Sequence, residues 1–520
     1  MSNLWNKIQE NPFSEEVPEL LKDIKQATFS STKPTNIKFG TSGWRGIIGD
    51  VFTLQNLKIA VQAIVEMMKT FTYLQETKLY DFQQVKTKGI LIGRDTRFLG
   101  QDFSQAAAEV LAANGIKAYI TDRPATTPDL SLTVVKGGFA GSINITPSHN
   151  PFEYSGIKFN PADGGTADPL LTNIIEEKAK EIMTNNQIAT FSKEHSTLIN
   201  SYSSLPVYVN TLFESKVVDL DFIKSNFDND LITFIVDNVH GASYGYIEEI
   251  LKPINILSLR NTPDVLFAGT KPEPSPINLK PLFKEMEKHH TPLKLGVILD
   301  PDGDRVRFMD GIEDLDMNYF GAIAFHYLVT NRKITGGIAK SVATSNLVNI
   351  IAKDLGLPIF ETAVGFKNFR KHLKEGLVAC AFEESDGITL KNHTLEKDGL
   401  IGTLLALEIT LRTKKPLSAY LKMLQDKYGY FYPERFSTPI DESKKEELAT
   451  KLNSYKIGDK IGSLNIKEII TVDGFKFIFE DQSWLMIRPS GTEPKVRIYV
   501  ESRKKEDSKT LFQLAKSFIS

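Results

Sequence analysis

Three carboxylates at alternate positions, Asp300, Asp302 and Asp304, follow the apolar run Leu295-Gly296-Val297-Ile298-Leu299. In an extended loop at the C-terminal end of a strand, alternate residues can turn several hard oxygens toward one point, which suits Mg²⁺. An EF-hand is a poor fit, because its loop needs Gly at the sixth position and Glu at the twelfth, where this chain has Arg305 and Gly311. Arg305, beside the acids, suits an anionic group held next to the cation. A turn of solvated acids would have the same composition.

Four other stretches carry reactive or anion-binding groups. Thr146-Pro147-Ser148-His149-Asn150-Pro151 places a hydroxyl between two prolines that stiffen its loop, as a covalent relay requires, although a plain turn reads the same way. Arg488-Pro489-Ser490-Gly491-Thr492-Glu493-Pro494 offers a guanidinium, two hydroxyls and an unhindered glycine N–H, the parts of a phosphate cradle, with Arg497 on the next strand. Gly40-Thr41-Ser42-Gly43-Trp44-Arg45-Gly46 is a glycine-rich loop bearing one arginine, and Glu383-Glu384-Ser385-Asp386-Gly387 offers groups that bind sugar hydroxyls. A flexible turn and a cluster of surface acids are the simpler readings of these two.

The elements that must position these loops alternate short apolar runs with segments of helical period, the pattern of an α/β protein. Gly89–Gly93 is expected as a strand, Gln105–Ala113 as a helix ended by Asn114-Gly115, and Lys117–Thr121 as the next strand. The strand-then-polar-loop arrangement returns at Leu231–Asp237 and Gly337–Ser341, whereas alternating runs near Phe475–Phe479 and Val496–Val500 indicate a smaller α+β domain at the end. A chain of 520 residues is too long for one core, and polar or proline-bearing joints lie near Ser196–Pro206, after Asp310 and around Tyr428–Glu434.

Lys and Arg number 62 against 64 Asp and Glu, so no global basic field draws the chain to nucleic acid or anionic lipid. Neither an apolar signal region nor a membrane-length run is present, and the reading is a cytoplasmic protein without nucleic-acid or membrane partners. The single cysteine, Cys380, lies in an apolar run and is expected to be a buried small hydrophobe.

In this order, Gly40–Gly46, Thr146–Pro151, Asp300–Arg305, Glu383–Gly387 and Arg488–Pro494 resemble the signature set of the α-D-phosphohexomutase superfamily, within its phosphoglucomutase and phosphomannomutase branch. Gly156–Asn160, Val364–Lys367 and Glu396–Gly399 resemble the segments between. The resemblance implies a heart-shaped α/β molecule of four domains around a central cleft: three related α/β mixed-sheet domains (1–204, 205–310 and 311–428) and an α+β domain (429–520). It implies that Ser148 carries a phosphate and that Asp300, Asp302 and Asp304 hold Mg²⁺ together with the phosphoserine. Arg305 would contact substrate beside the metal, Arg488, Ser490, Gly491, Thr492 and Arg497 would hold the phosphate that is not reacting, Glu383 and Ser385 the sugar 3- and 4-hydroxyls, and Gly365 and Lys367 a further substrate contact.

The implied activity is that of an isomerase, a phosphoglucomutase interconverting glucose 1-phosphate and glucose 6-phosphate. Glucose 1,6-bisphosphate would be intermediate and activator, and mannose, glucosamine or pentose phosphates are alternative substrates. A metal-dependent sugar phosphatase would use similar acids, but would normally attack with an aspartate. Lys158 is the first candidate for general acid/base, with burial beside cations expected to lower its pKa, Lys397 the second, and His149 and Arg45 supporting. The partners expected are small hexose phosphates, for a monomer or weak homodimer. Pro147, Phe382 and Asp386 depart from the commonest pattern, departures that leave the sugar preference open and not the phosphoryl chemistry.

Overall fold

The apolar run Ile90–Arg94 is a strand buried at its first four positions, as a central strand covered on both faces must be. It pairs in parallel with Ala118–Thr121 on one side and Gly141–Ile145 on the other. The alanine-rich helix begins five residues earlier than its composition suggests, at Gly100, and runs to Ala113. Gly115, with φ 74°, supplies the left-handed residue that ends it.

The computed structural model describes residues 1–33, 35–40, 43–70, 80–489 and 495–519. Among these, no helix is long and apolar enough to cross a membrane. The chain divides into two compact units, Met1–Asp314 with Gly387–Lys414, and Leu315–Asp386 with Lys415–Ser520.

The first unit holds two sheets. One runs Trp44–Ile47, Tyr154–Pro161, Gly141–Ile145, Ile90–Arg94, Ala118–Thr121, Ile199–Tyr202 in spatial order. Its last four strands are parallel and Tyr154–Pro161 is antiparallel, so the sheet is mixed. In the other, Leu293–Leu299 lies parallel to Ile232–Asp237 and antiparallel to Val306–Met309. The helix Gly399–Thr413 packs on Leu293–Leu299 within this unit, although it falls in the third domain expected from sequence.

In the second unit, Ile359–Thr362, Gly337–Ser341 and Val378–Glu383 are parallel neighbours. Cys380 is fully buried there, as its apolar surroundings suggest. The C-terminal sheet is antiparallel, in the order Tyr432–Pro439, Lys495–Ser502, Trp484–Pro489, Phe475–Phe479, Leu464–Ile470, Lys460–Ile461. Leu448 and Leu452 of one helix and Leu511 and Ala515 of another cover one face of that sheet. On the other face Trp484, Met486 and Tyr499 pack with Val342 and Ala343.

Candidate active site

Leu299 and Val306 are opposed in antiparallel register, so Asp300–Arg305 is a hairpin turn and not the extended loop expected from the sequence. Gly303, at φ 67°, supplies the left-handed residue, and its N–H donates to the Asp300 carbonyl at 2.9 Å. The turn does what alternation in an extended loop would have done. One carboxylate oxygen from each of Asp300, Asp302 and Asp304 lies within 4.8 Å of the others, and all three side chains are fully buried.

Burial and the neighbouring Asp302 and Asp304 charges push the Asp300 carboxyl well above its ordinary pKa. Among the described residues, Asp302 Oδ1 and Asp304 Oδ1 are buried without a hydrogen-bond partner. Crowded hard oxygens, mutual repulsion and orphaned acceptors are what a divalent cation would relieve, so the residues fit Mg²⁺.

Ser148 stands at the end of the strand Gly141–Ile145 in the left-handed region, φ 58°, with its side chain almost wholly buried. Its Oγ donates to Asp300 Oδ2 at 2.8 Å and lies 3.3 Å from His149 Nδ1. The structure therefore brings the nucleophile candidate, its neighbouring imidazole and the acids together. Burial, then the Arg305 and Arg45 charges, push the His149 imidazole well below its ordinary pKa, leaving it neutral at pH 7. Arg45 donates to Asn150 Oδ1 at 2.8 Å; burial and Arg305 bring its pKa to about 10, so it stays charged.

Lys158, on the strand Tyr154–Pro161, donates to Asp302 Oδ2 at 2.6 Å and Asp304 Oδ2 at 3.2 Å. The downward shift expected for it is not found: burial lowers its pKa, but Asp302 and Asp304 outweigh burial and the net shift is upward. The neighbours are acids, where the sequence reading assumed cations. Lys397 Nζ also donates to Asp304 Oδ2, at 2.9 Å. Burial would raise the Asp304 pKa, but Lys158, Lys397 and Arg305 overcome it and hold the carboxyl far below its usual range.

Lys397 is placed by its chain neighbours. Asp398 caps the helix Gly399–Thr413 through the N–H groups of Leu400 and Ile401 and accepts from Tyr208 at 2.7 Å. Gly399 N–H donates to the Gly303 carbonyl at 3.0 Å, and a Cβ on Gly399 would stand 2.8 Å from the Arg305 carbonyl oxygen. Only glycine lets this helix start lie against the acidic turn.

The remaining candidates belong to the second unit. Glu383 Oε1 accepts from Gly365 N–H at 2.6 Å, with Lys367 following in the 3₁₀ turn Phe366–Phe369 and Ser385 partly exposed in the turn after Glu383. Arg488 is half-buried and pairs with Asp473 at 2.8 Å, directly across the strands from the exposed Arg497. Asp473 also accepts from Val364 N–H at 3.0 Å, so one carboxylate holds both the guanidinium and the Val364 backbone. Ser490, Gly491 and Thr492 lie outside the described residues.

Phe382 and Asp386, two departures from the commonest family pattern, both have packing partners within this unit. Phe382 is fully buried, and a Cβ on Gly321 would stand 2.4 Å from its ring. Asp386, at φ 70°, is buried and accepts from Met317 N–H at the start of the helix Met317–Thr330.

Arg97, Asp95, Thr146, Asp473 and Asp398 were missed as organisers from sequence. The polar loop Arg94–Arg97 after a central strand was the available signal for the first two, since ligand and catalytic loops gather at such strand ends. Arg97 donates to the backbone carbonyls of Ser148, Asn150 and Pro151, and Asp95 receives both Arg97 Nε and the Thr146 hydroxyl.

Four family models match the chain in sequence order. They are phosphoglucomutase/phosphomannomutase alpha/beta/alpha domain I over residues 36–186, domain II over 206–312, domain III over 316–428, and the C-terminal domain over 441–514. A phosphoglucomutase of Komagataeibacter xylinus is 28% identical, the match covering 90% of this chain and 88% of the relative. A phosphomannomutase of Mycoplasma genitalium is 25% identical over 94% and 91% of the two chains. The crystal structure of pp63/parafusin, a phosphoglucomutase from Paramecium, in its open form shares the fold with a TM-score of 0.76 at 23% identity, covering 94% of this chain and 95% of that one.

Proposed function

From the premise that the chain belongs to the phosphoglucomutase/phosphomannomutase family and is a mutase of the isomerase class, we propose that it interconverts α-D-glucose 1-phosphate and glucose 6-phosphate. Ser148 carries the phosphate, glucose 1,6-bisphosphate is the intermediate, and mannose phosphates are secondary substrates. The observation that carries this reading is the Ser148 hydroxyl held 2.8 Å from Asp300 at the edge of three buried carboxylates. A metal-dependent phosphatase that attacks with an aspartate would have no use for that hydroxyl. The domains are taken as 1–204, 205–310, 311–428 and 429–520.

Asp300, Asp302 and Asp304 would hold Mg²⁺, which when bound neutralises charge on the transferring phosphoryl group. With Ser148 phosphorylated, the 6-hydroxyl oxygen of a hexose 1-phosphate attacks phosphorus in line. The new O–P bond forms as the Oγ–P bond breaks, the hydroxyl proton leaves to a base, and Oγ takes a proton. Besides Asp300, His149, its Nδ1 3.3 Å from Oγ, is within reach of that proton traffic, with Lys158 and Lys397 one step away on Asp302 and Asp304. The 1,6-bisphosphate then reverses, and its 1-phosphate returns to Ser148. Arg488 and Arg497 hold the phosphate at the end that is not reacting, while Glu383 and Ser385 read the sugar hydroxyls. Reversal lets a single set of groups serve both ends.

Incubation with a panel of sugar 1-phosphates (glucose, mannose, glucosamine, ribose) tests the reading, with separate measurement of 6-phosphate or 5-phosphate product and of inorganic phosphate. Glucose 1-phosphate should isomerise fastest. Faster isomerisation of another sugar would reassign the substrate, and release of inorganic phosphate without isomer would replace the mutase with a phosphatase.

A further inference from the structure

We infer that Thr127 is a positioning residue for the cation site: its hydroxyl fixes the orientation of the Asp302 carboxylate so that Oδ1 is left for a metal. The inference rests on the metal assignment above and extends it to a residue more than 170 positions away in the chain.

Thr127 opens the helix Thr127–Gly137 and is almost wholly buried. Its backbone N–H donates to the Asp302 carbonyl at 2.8 Å, tying the helix start to the acidic turn. Its Oγ1 donates to Asp302 Oδ2 at 2.7 Å. The direction of that bond is fixed, because an ionised carboxylate only accepts. It is fixed from the other side too, since Asn144 Nδ2 donates to Oγ1 at 2.9 Å and Lys158 Nζ approaches it at 3.4 Å. With its acceptor side occupied, the single hydroxyl proton goes to Asp302.

Asp302 Oδ2 therefore receives two donors, Lys158 Nζ at 2.6 Å and Thr127 Oγ1 at 2.7 Å, on one oxygen. Among the described residues its Oδ1 is buried and has no hydrogen-bond partner. Both donors bind the same oxygen, so rotation about the side-chain torsion of Asp302 would break two charge-assisted bonds at once. Outer residues that orient a ligand in this way commonly change metal affinity by about 10–100-fold when replaced. Lys158 alone does not fix the orientation, since its flexible ammonium can follow the carboxylate as it turns. The threonine hydroxyl sits on a helix start and cannot.

The test is Mg²⁺ binding to the full-length, unphosphorylated protein by titration calorimetry, with thermal melting in chelator as the control for folding. Thr127→Val keeps the shape and removes the proton; it should weaken Mg²⁺ binding at least about tenfold, while Thr127→Ser restores affinity to within about threefold of wild type, a rescue that a purely steric role would not give. If Thr127→Val does not fold, Thr127→Ala is read the same way. A folded Val or Ala variant that binds Mg²⁺ as tightly as wild type overturns the inference, and so does a Ser variant no better than Val. Wild-type protein that binds no Mg²⁺ would instead overturn the metal assignment on which the inference rests.

Discussion

The guanidinium of Arg97 holds the carbonyl oxygen of Ser148 at 2.7 Å, across 51 residues of chain. The same group reaches the carbonyls of Asn150 and Pro151 and is anchored on Asp95 at 3.0 Å, with both members of the ion pair almost fully buried. Asp95 in turn accepts from Thr146 Oγ1, which itself accepts from the Ser148 N–H at 2.9 Å. The loop that presents the hydroxyl is therefore gripped from inside, and Ser148 keeps a left-handed backbone that a non-glycine residue adopts only when its surroundings impose it.

Arg97→Lys keeps the charge but cannot span three carbonyls and a carboxylate, so the Ser148 loop should loosen. The rate at which glucose 1,6-bisphosphate phosphorylates Ser148 is expected to fall by about 10²-fold or more in single-turnover measurements, as misplacement of a reacting group by about 1 Å costs. Mg²⁺ affinity should change little. Arg97→Met, which strands Asp95, should also lose about 3–5 kcal/mol of stability. Normal phosphorylation kinetics in the lysine variant would show that the clamp does not control the nucleophile.

Ser148→Ala removes the carrier and leaves the acids in place. Mutase turnover should drop below about a thousandth of wild type, a barrier increase of roughly 4 kcal/mol or more, and mass spectrometry should find no phosphate on the loop after incubation with glucose 1,6-bisphosphate. Retained turnover would remove the covalent relay from the mechanism.

Lys476 should give the protein a pH-dependent stability. Its ammonium is fully buried, donating to the Val342 carbonyl at 2.8 Å and Asn346 Oδ1 at 3.2 Å, with Glu361 3.7 Å away. Burial and the neighbouring Lys340 push its pKa down to about 7, which Glu361 and Glu501 offset only in part. An unfolded lysine titrates near 10.4. Between about pH 7 and 10 the unfolded chain holds a proton that the folded chain has released, so stability rises with pH across that window by about 1.4 kcal/mol per unit and is lost again as pH falls to about 7. Lys476→Met should lack this rise, even if it costs stability uniformly by leaving the Val342 carbonyl without its donor. Parallel denaturation midpoints for the two proteins from about pH 7.5 to 10 would contradict the shift.

The parts of the molecule legible from sequence were those whose signal is local. Apolar runs such as Ile90–Arg94 and Leu293–Leu299 announced strands, and three acids at alternate positions announced a cation site whichever way the backbone carried them. The hairpin at Asp300–Arg305 escaped because Val306–Met309 is too short and too polar at Arg307 to stand out as a returning strand. Arg97 and Thr127 escaped for a different reason. Their partners lie 51 and 175 residues away, and only the packing of strands and helix starts in the first unit puts them in contact. The packing of Phe382 over Gly321 and the bond from Met317 N–H to Asp386 escaped for the same reason, since both partners are distant in sequence.

Arg488 separates binding from chemistry in the second unit. Its guanidinium pairs with Asp473, whose other oxygen takes the Val364 N–H, and it stands opposite Arg497 in the antiparallel sheet. If these arginines hold the phosphate that is not reacting, their contribution is the same in ground state and transition state, and uniform binding of that kind appears in KM with kcat little changed. Arg488→Ala removes a charge-assisted contact and should raise KM about ten- to two-hundredfold, a loss of roughly 1.5–3 kcal/mol. Arg488→Lys should recover part of that loss, because an ammonium keeps the charge without the fork. Asp473→Asn tests the anchor: it leaves Arg488 charged but weakens the pair that orients it, so KM should rise by less than in the alanine variant. In all three, Ser148 should still take phosphate from saturating glucose 1,6-bisphosphate, since the relay and its acids belong to the first unit. An Arg488→Ala protein that binds substrate with wild-type affinity but cannot be phosphorylated would put the guanidinium at the reacting end, and reversal of the bisphosphate between one reactive and one holding site would have to be abandoned.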